Sequence, residues 1–158
     1  MIIDYNKKYD EDIKQLLLEL QEHITTIDKE KYSVITKNYK SEYFKSTMDE
    51  IEKYRGKMFL LQENSEIIGL IVGLINNEEI NNYDFKAPKR GRITELVVSK
   101  QYRNKGYGKL LLNKMEEYLK RQGCKDILLG VFAYNTAIKF YEKNGYHQRT
   151  IEMTKTNI

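Results

Sequence analysis

Leu96-Val97-Val98-Ser99-Lys100-Gln101-Tyr102-Arg103-Asn104-Lys105-Gly106-Tyr107-Gly108-Lys109-Leu110 reads as an apolar strand running into a basic, glycine-spaced turn that opens a helix. The first N–H groups of a helix have no partner within it, and the aligned peptide dipoles leave partial positive charge there. A phosphate placed at that point collects several hydrogen bonds at once. Gly106 and Gly108 carry no side chain to hold such a group away from the backbone, and Arg103, Lys105 and Lys109 add positive charge nearby. Two familiar phosphate patterns fail here. A P-loop would follow Gly108-Lys109 with Ser or Thr, where Leu110 stands; a dinucleotide fingerprint would need a third glycine, where Leu111 stands. An unliganded loop and helix start is the plainer alternative for this stretch taken alone.

Downstream of the turn, residues 106–122 form the strongest helical pattern, with Leu111, Met115 and Leu119 four apart and Gly123 as its stop. Residues 126–132 read as a strand, 135–143 as a short helix ended by Asn144-Gly145, and 146–154 as a final strand. Upstream, 92–99 is a strand, preceded by a polar stretch at 76–91 that contains Pro88 and reads as a long hairpin loop. Residues 57–63 and 66–75 are apolar runs separated by Asn64-Ser65, which predicts two strands and a tight turn. The second run is nearly continuous from Ile67 to Ile75, as expected of a strand covered on both faces. Ile13, Leu16, Leu17, Leu20 and Ile24 share one helical face; 41–54 reads as a second helix closed by Gly56; residues 1–5 read as a short strand. No periodicity assigns residues 28–40. The order gives an α/β chain with a mixed central sheet and helices packed against it, a layout that hosts many functions.

With 158 residues the chain fits one domain, 1–158, with one core. Hydrophobic residues at 41% and charged residues at 32% give an ordinary globular balance, and a net charge of +4 is too small to argue for nucleic acid. One cysteine, Cys124, excludes an internal disulfide framework, and two distant histidines, His23 and His147, offer few metal ligands, so no metal is expected. Cys124 reads as structural, His23 as a solvated residue near the end of the first helix, with a place in the acceptor pocket as the alternative, and His147 as an exposed strand residue. No apolar run approaches the ~20 residues of a membrane helix and no signal-peptide core is present, so a soluble, cytoplasmic protein without membrane contact is expected.

Arg103-Asn104-Lys105-Gly106-Tyr107-Gly108 resembles the R/Q-x-x-G-x-G/A signature of the GNAT superfamily, and resembles it in context, between a strand and a helix. Asn135-Thr136-Ala137-Ile138-Lys139-Phe140-Tyr141-Glu142-Lys143-Asn144-Gly145-Tyr146 is similar to the family segment that closes the cofactor site. The resemblance implies a twisted, mostly antiparallel sheet flanked by helices, and an acetyl-CoA-dependent N-acetyltransferase. It implies further that Leu96, Val97 and Val98 offer backbone groups to the pantetheine arm. The amides of Arg103, Asn104, Lys105, Gly106, Tyr107, Gly108 and Lys109 would hold the pyrophosphate, Asn135 would bond the cofactor near the pantetheine or its thioester end, and Tyr141 would protonate the departing thiolate. A core role for Tyr141 is the alternative, since Ala137 shares its helical face and the chain has thirteen tyrosines.

The base is not fixed by the resemblance. Glu95 is the candidate: it interrupts an apolar strand and, two residues before Val97, shares that residue's face rather than that of Leu96 and Val98. An edge-exposed or salt-bridged strand residue is the alternative. For the acceptor, Glu78, Glu79 and Asp84 in the long loop and Asp28, Glu30, Glu42 and several tyrosines in the helical region suit a small cationic amine. A non-catalytic acyl-CoA sensor, a peptide N-acetyltransferase and a nucleic-acid-binding module are the competing classes; the last would need a basic stripe, whereas acidic residues interleave with Lys throughout. A homodimer is common in such folds, but no segment identifies an interface.

Overall fold

Asn64 and Ser65 take φ of 49° and 68°, the two left-handed residues of a two-residue hairpin turn. That turn joins β2 (Lys57–Glu63) to β3 (Glu66–Asn76) in antiparallel register, Leu60 opposite Leu70. In the computed structural model, which describes residues 1–76 and 88–156, this hairpin is the middle of a five-stranded sheet. β1 (Ile2–Asp4) pairs antiparallel with β2, β4 (Arg90–Val98) antiparallel with β3, and β5 (Asp126–Leu129) parallel with β4, giving the order β1-β2-β3-β4-β5.

Both faces of β2 and β3 are covered, which explains their unbroken apolar runs. On one face Phe59, Leu61, Ile68, Ile71, Ile75 and Ile93 meet Leu111, Leu112, Met115 and Leu119 of α3 (Tyr107–Arg121). On the other, Met58, Leu60, Leu70, Val72, Leu74 and Val97 meet Ile13, Leu16 and Leu17 of α1 (Asp10–Ile27), with α2 (Tyr39–Lys53) alongside. Each fully buried Leu or Ile contributes about 1.5–3 kcal/mol of apolar burial, so the two layers hold the sheet from both sides. The sheet and its helices therefore match the expected mixed, mostly antiparallel α/β architecture.

Several local expectations change. The α2 stop is made by Arg55, which takes φ of 49°; Gly56 serves close approach, since a Cβ there would lie 2.7 Å from the Gly73 carbonyl oxygen. α4 spans Ala137–Lys143, starting two residues later than the sequence suggests. The strand expected at 126–132 ends at Leu129, and among the described residues Gly130, Val131 and Phe132 pair with no strand. The final strand expected at 146–154 does not form: Ile151 and Met153 alternate as strand residues would, but both are exposed and no strand among the described residues takes them. His147 is exposed as expected, though not in a strand. The loop expected at 76–91 is shorter, since Asn76 pairs with Arg90; Glu78, Glu79 and Asp84 lie outside the described residues. No helix among the described residues is long and apolar enough to cross a membrane.

Two irregularities shape the sheet where it matters. β3 and β4 slip register between Val72/Gly73 and Glu95/Ile93, so Thr94 is an extra residue on β4. Such a bulge bends its strand and raises the local twist. At the start of β4 and β5, Arg90 grips Asp126 through three hydrogen bonds of 2.7–3.0 Å. Pairing then runs only to Ile93–Leu129, while β4 continues to Val98. The two parallel strands are tied at one end and open at the other.

Candidate active site

Ser99 follows β4, and a single 3-10 turn, Lys100–Tyr102, leads into the glycine-spaced segment. Asn104 and Gly106 adopt left-handed φ of 62° and 83°, with α3 starting at Tyr107. Left-handed residues within such a turn rotate successive N–H groups toward one concavity, an anion-binding nest. Within the described residues the amides of Asn104, Lys105, Gly106, Tyr107 and Gly108 have no hydrogen-bond partner. Those of Arg103 and Lys109, which the sequence grouped with them, are used by Lys100 and Gly106 carbonyls at 3.4 and 3.1 Å. A Cβ on Gly106 would meet no atom within 4 Å, so the space beside it is open.

The side chains around this turn hold it rather than line it. Arg103 donates from Nε to the Val98 carbonyl at 2.9 Å and from a terminal nitrogen to Glu19 at 3.2 Å. Its guanidinium thereby ties the turn to α1, beside the five free amides. The same Glu19 oxygen accepts the Lys100 N–H at 2.6 Å. Tyr102 donates to Glu66 at 3.0 Å and Tyr107 to Glu63, so the β2–β3 hairpin pins the turn from the other side. Glu19, Glu63 and Glu66 carry no motif, and their partners stand 36 to 84 residues away in sequence.

Where β4 leaves β5, a cleft of about 450 Å³ opens, lined by Tyr43, Glu50, Tyr54, Arg92, Glu95 and Gly130 among others. Glu95 sits on its floor, 8% exposed, and accepts a 2.6 Å hydrogen bond from the Tyr43 hydroxyl of α2. Glu95 does share the face of Val97, as strand alternation predicts. Burial pushes its carboxyl up to about 7; the Tyr43 hydrogen bond pulls the other way, and the Glu50 charge adds a smaller upward push. A carboxyl that titrates near neutrality in a cleft is suited to moving a proton. Tyr39 stacks on Tyr43 with ring centroids 4.9 Å apart, and both phenols are pushed above their ordinary range by burial and by the Glu95 charge.

Tyr141, on α4, packs edge-on between Phe140 and Tyr146, centroids 5.2 and 5.8 Å away. Burial, then the Glu95 charge, raises its phenol to about 12, and within the described residues its hydroxyl has no hydrogen-bond partner. Asn135 caps the approach to α4, its Oδ1 accepting the Ala137 N–H at 2.9 Å, which leaves its amide nitrogen to donate. Beyond Ile93 no strand among the described residues pairs with the β5-side edge of β4, so Leu96, Val97 and Val98 lie along the open split, with the Val98 carbonyl taken by Arg103. Asp28 takes no part: its carboxylate accepts the Glu30 and Ser33 amides at 3.2 and 2.6 Å and closes the end of α1. Glu30 and Glu42 also lie away from the cleft lining.

Residues 18–146 match the model of the Acetyltransferase (GNAT) family. The chain belongs to the GNAT acetyltransferase family. Among curated proteins, the glucosamine 6-phosphate N-acetyltransferase of Arabidopsis thaliana is 26% identical over 125 residues, 77% of this chain and 80% of that one. Among solved structures, a GNAT family acetyltransferase from Staphylococcus aureus Mu50 superposes with a TM-score of 0.72 at 23% identity, covering 95% of this chain and 85% of that one. An aminoglycoside N-acetyltransferase solved in complex with CoA superposes with a TM-score of 0.69 at 16% identity, covering 99% and 100%. This GNAT chain is thus an N-acetyltransferase enzyme, and the two structural likenesses show its fold.

Proposed function

We propose that the chain, acting as one domain over 1–158, transfers the acetyl group of acetyl-CoA to a small amine that attacks directly while both are bound. The observation that carries this reading is the placement of Glu95 at the mouth of the β4–β5 split, with five free amides at the far end of the same strand. The residues fit the co-substrate. Five unpartnered N–H groups suit a pyrophosphate, and the open β4 edge from Thr94 to Val98, four steps of ~3.3 Å, suits an extended amide-bearing arm. The CoA complex of a protein with the same fold supports that choice, and the relative named for glucosamine 6-phosphate supports a small acceptor.

Bound acetyl-CoA supplies a reactive thioester carbonyl and a thiolate that can leave. The amine arrives mostly protonated, with a pKa near that of a lysine side chain, about 10. Glu95, half ionised near neutral pH, receives its proton directly or through water, a role worth about 10²–10⁴-fold. Tyr141 stays protonated at neutral pH and donates a hydrogen bond to the sulfur. Because the Glu95 charge helps raise Tyr141, neutralising Glu95 in the first proton transfer makes the phenol a better donor for the second event.

The test is CoA release monitored with acetyl-CoA across a panel of small amines, peptides and protein lysines. Release with small amines and not with peptides is the expected result; release with peptides alone would overturn the small-acceptor reading. Tyr43→Phe gives a finer check. Its hydroxyl lowers the Glu95 pKa, so removing it moves the acid limb of the kcat/KM profile upward from about 7. Activity lost at pH 7 is then regained in part at pH 8.5. An unmoved limb would remove Glu95 as the group that titrates.

A further inference from the structure

Arg92 lies in the interior of the sheet, opposite Leu74 on β3 and Leu128 on β5. A residue flanked by strands on both sides is ordinarily apolar and covered by a helix. Arg92 is instead exposed and lines the cleft. Three residues apart on a regular strand, Arg92 and Glu95 would project from opposite faces. The extra residue at Thr94 reverses this: Ile93 packs on the α3 side, Glu95 meets Tyr43 on the α2 side, and Arg92, adjacent to Ile93, shares the face of Glu95.

Arg90, Arg103 and Arg121 each hold a carboxylate. Arg92, in a cleft with two carboxylates, holds neither Glu50 nor Glu95 and has no other partner among the described residues. Nor does it depress the Glu95 carboxyl, which is pushed upward. The cleft therefore carries two separated poles, carboxylates toward α2 and a guanidinium on β4, across a space of small-molecule size.

We infer that the acceptor carries an anionic group as well as its amine, and that Arg92 is the specificity-determining residue that binds the anion while the amine faces Glu95 and Glu50. The inference rests on the acetyl-transfer reading for the identity of the cleft. The guanidinium fork matches a carboxylate or a phosphate through two parallel hydrogen bonds, a chemistry that a lysine point charge does not reproduce. The substrate class is a small amino acid, aminoalkyl phosphate or amino-sugar phosphate.

Paired probes test this by calorimetry on the full chain, alone and saturated with CoA. The pairs are 2-aminoethyl phosphate with ethanolamine, 4-aminobutyrate with butylamine, and glucosamine 6-phosphate with glucosamine. The anionic member of at least one pair is expected to bind about tenfold to a hundredfold tighter than its neutral partner. Which pair discriminates most strongly separates phosphate from carboxylate. Arg92→Ala should bring the ratio close to one, and Arg92→Lys should recover part of it; the site is exposed, and unchanged melting curves confirm folding. Equal binding within every pair, binding of none of the six, or a preference that survives Arg92→Ala would overturn the inference. Discrimination without CoA release for any acceptor would instead defeat the transfer reading alone, and CoA release without discrimination would defeat only the inference.

Discussion

Glu95→Gln is expected to lower turnover by about 10²–10⁴-fold while making the protein more stable above neutral pH. The two effects share one cause. Glu95 has a carboxyl buried against α2 whose pKa rises from 4.5 to about 7 on folding. The folded chain therefore holds a proton that the unfolded chain releases, so the stability contributed by this group is fully present below about pH 4.5 and is lost as pH rises through about 7. Above that range the ionised, buried carboxylate costs up to about 3 kcal/mol, which in a chain of this length corresponds to roughly 6–12 °C in melting temperature. Gln keeps an oxygen to accept the Tyr43 hydroxyl and removes the charge. Thermal denaturation of both proteins at pH 4 and pH 8.5 should give near-equal values at the lower pH and a more stable variant at the higher. Near-normal turnover in the variant would assign the base to another group; equal stability at both pH values would mean that Glu95 is not the buried titrating site.

Gly106→Glu is expected to weaken acetyl-CoA binding by at least about a hundredfold, measured by calorimetry. A Cβ at this position meets no protein atom, so the substitution leaves the core untouched and places a carboxylate in the open concavity of the five free amides. Repulsion between that charge and a pyrophosphate acts at the point where the helix dipole would otherwise attract it. The positive φ of 83° adds a backbone penalty of about 1–2 kcal/mol for a side chain. Gly106→Asn separates the two causes, because Asn tolerates the left-handed region and carries no charge. It should retain most of the affinity that Glu removes. Undiminished binding in a folded Gly106→Glu protein would place the phosphates elsewhere.

Local chemistry made much of the fold legible. Asn64-Ser65 announced the hairpin because two consecutive residues tolerant of positive φ separate two apolar runs, and Gly123 and Gly145, at φ of 83° and 89°, end α3 and α4 where the sequence placed their stops. The tail from Tyr146 misled for the opposite reason: alternation at Ile151 and Met153 is a local signal, whereas a strand needs a neighbour. Glu95 was legible by alternation forward to Val97, but alternation backward to Arg92 fails at Thr94, and nothing in Ile93-Thr94-Glu95 marks a bulge. The tie from Arg103 to Glu19 was not legible, because the two stand 84 residues apart in sequence. Tyr43 was one of many tyrosines until the packing of α2 set it 2.6 Å from Glu95 across 52 residues of chain.

Glu19 touches both halves of the molecule's task. One carboxylate on α1 holds the Lys100 amide and the Arg103 guanidinium, and α1 is packed beside the α2 helix that carries Tyr43 and Glu50. The proposed phosphate cradle and the proposed acceptor wall are therefore not independent bodies. If filling the cradle tightens the hold on the amine through α1, then by thermodynamic reciprocity the bound amine tightens the cradle's hold by the same factor. A single shared carboxylate is thus a route by which each site would sense the other, equally in both directions and without any moving lid.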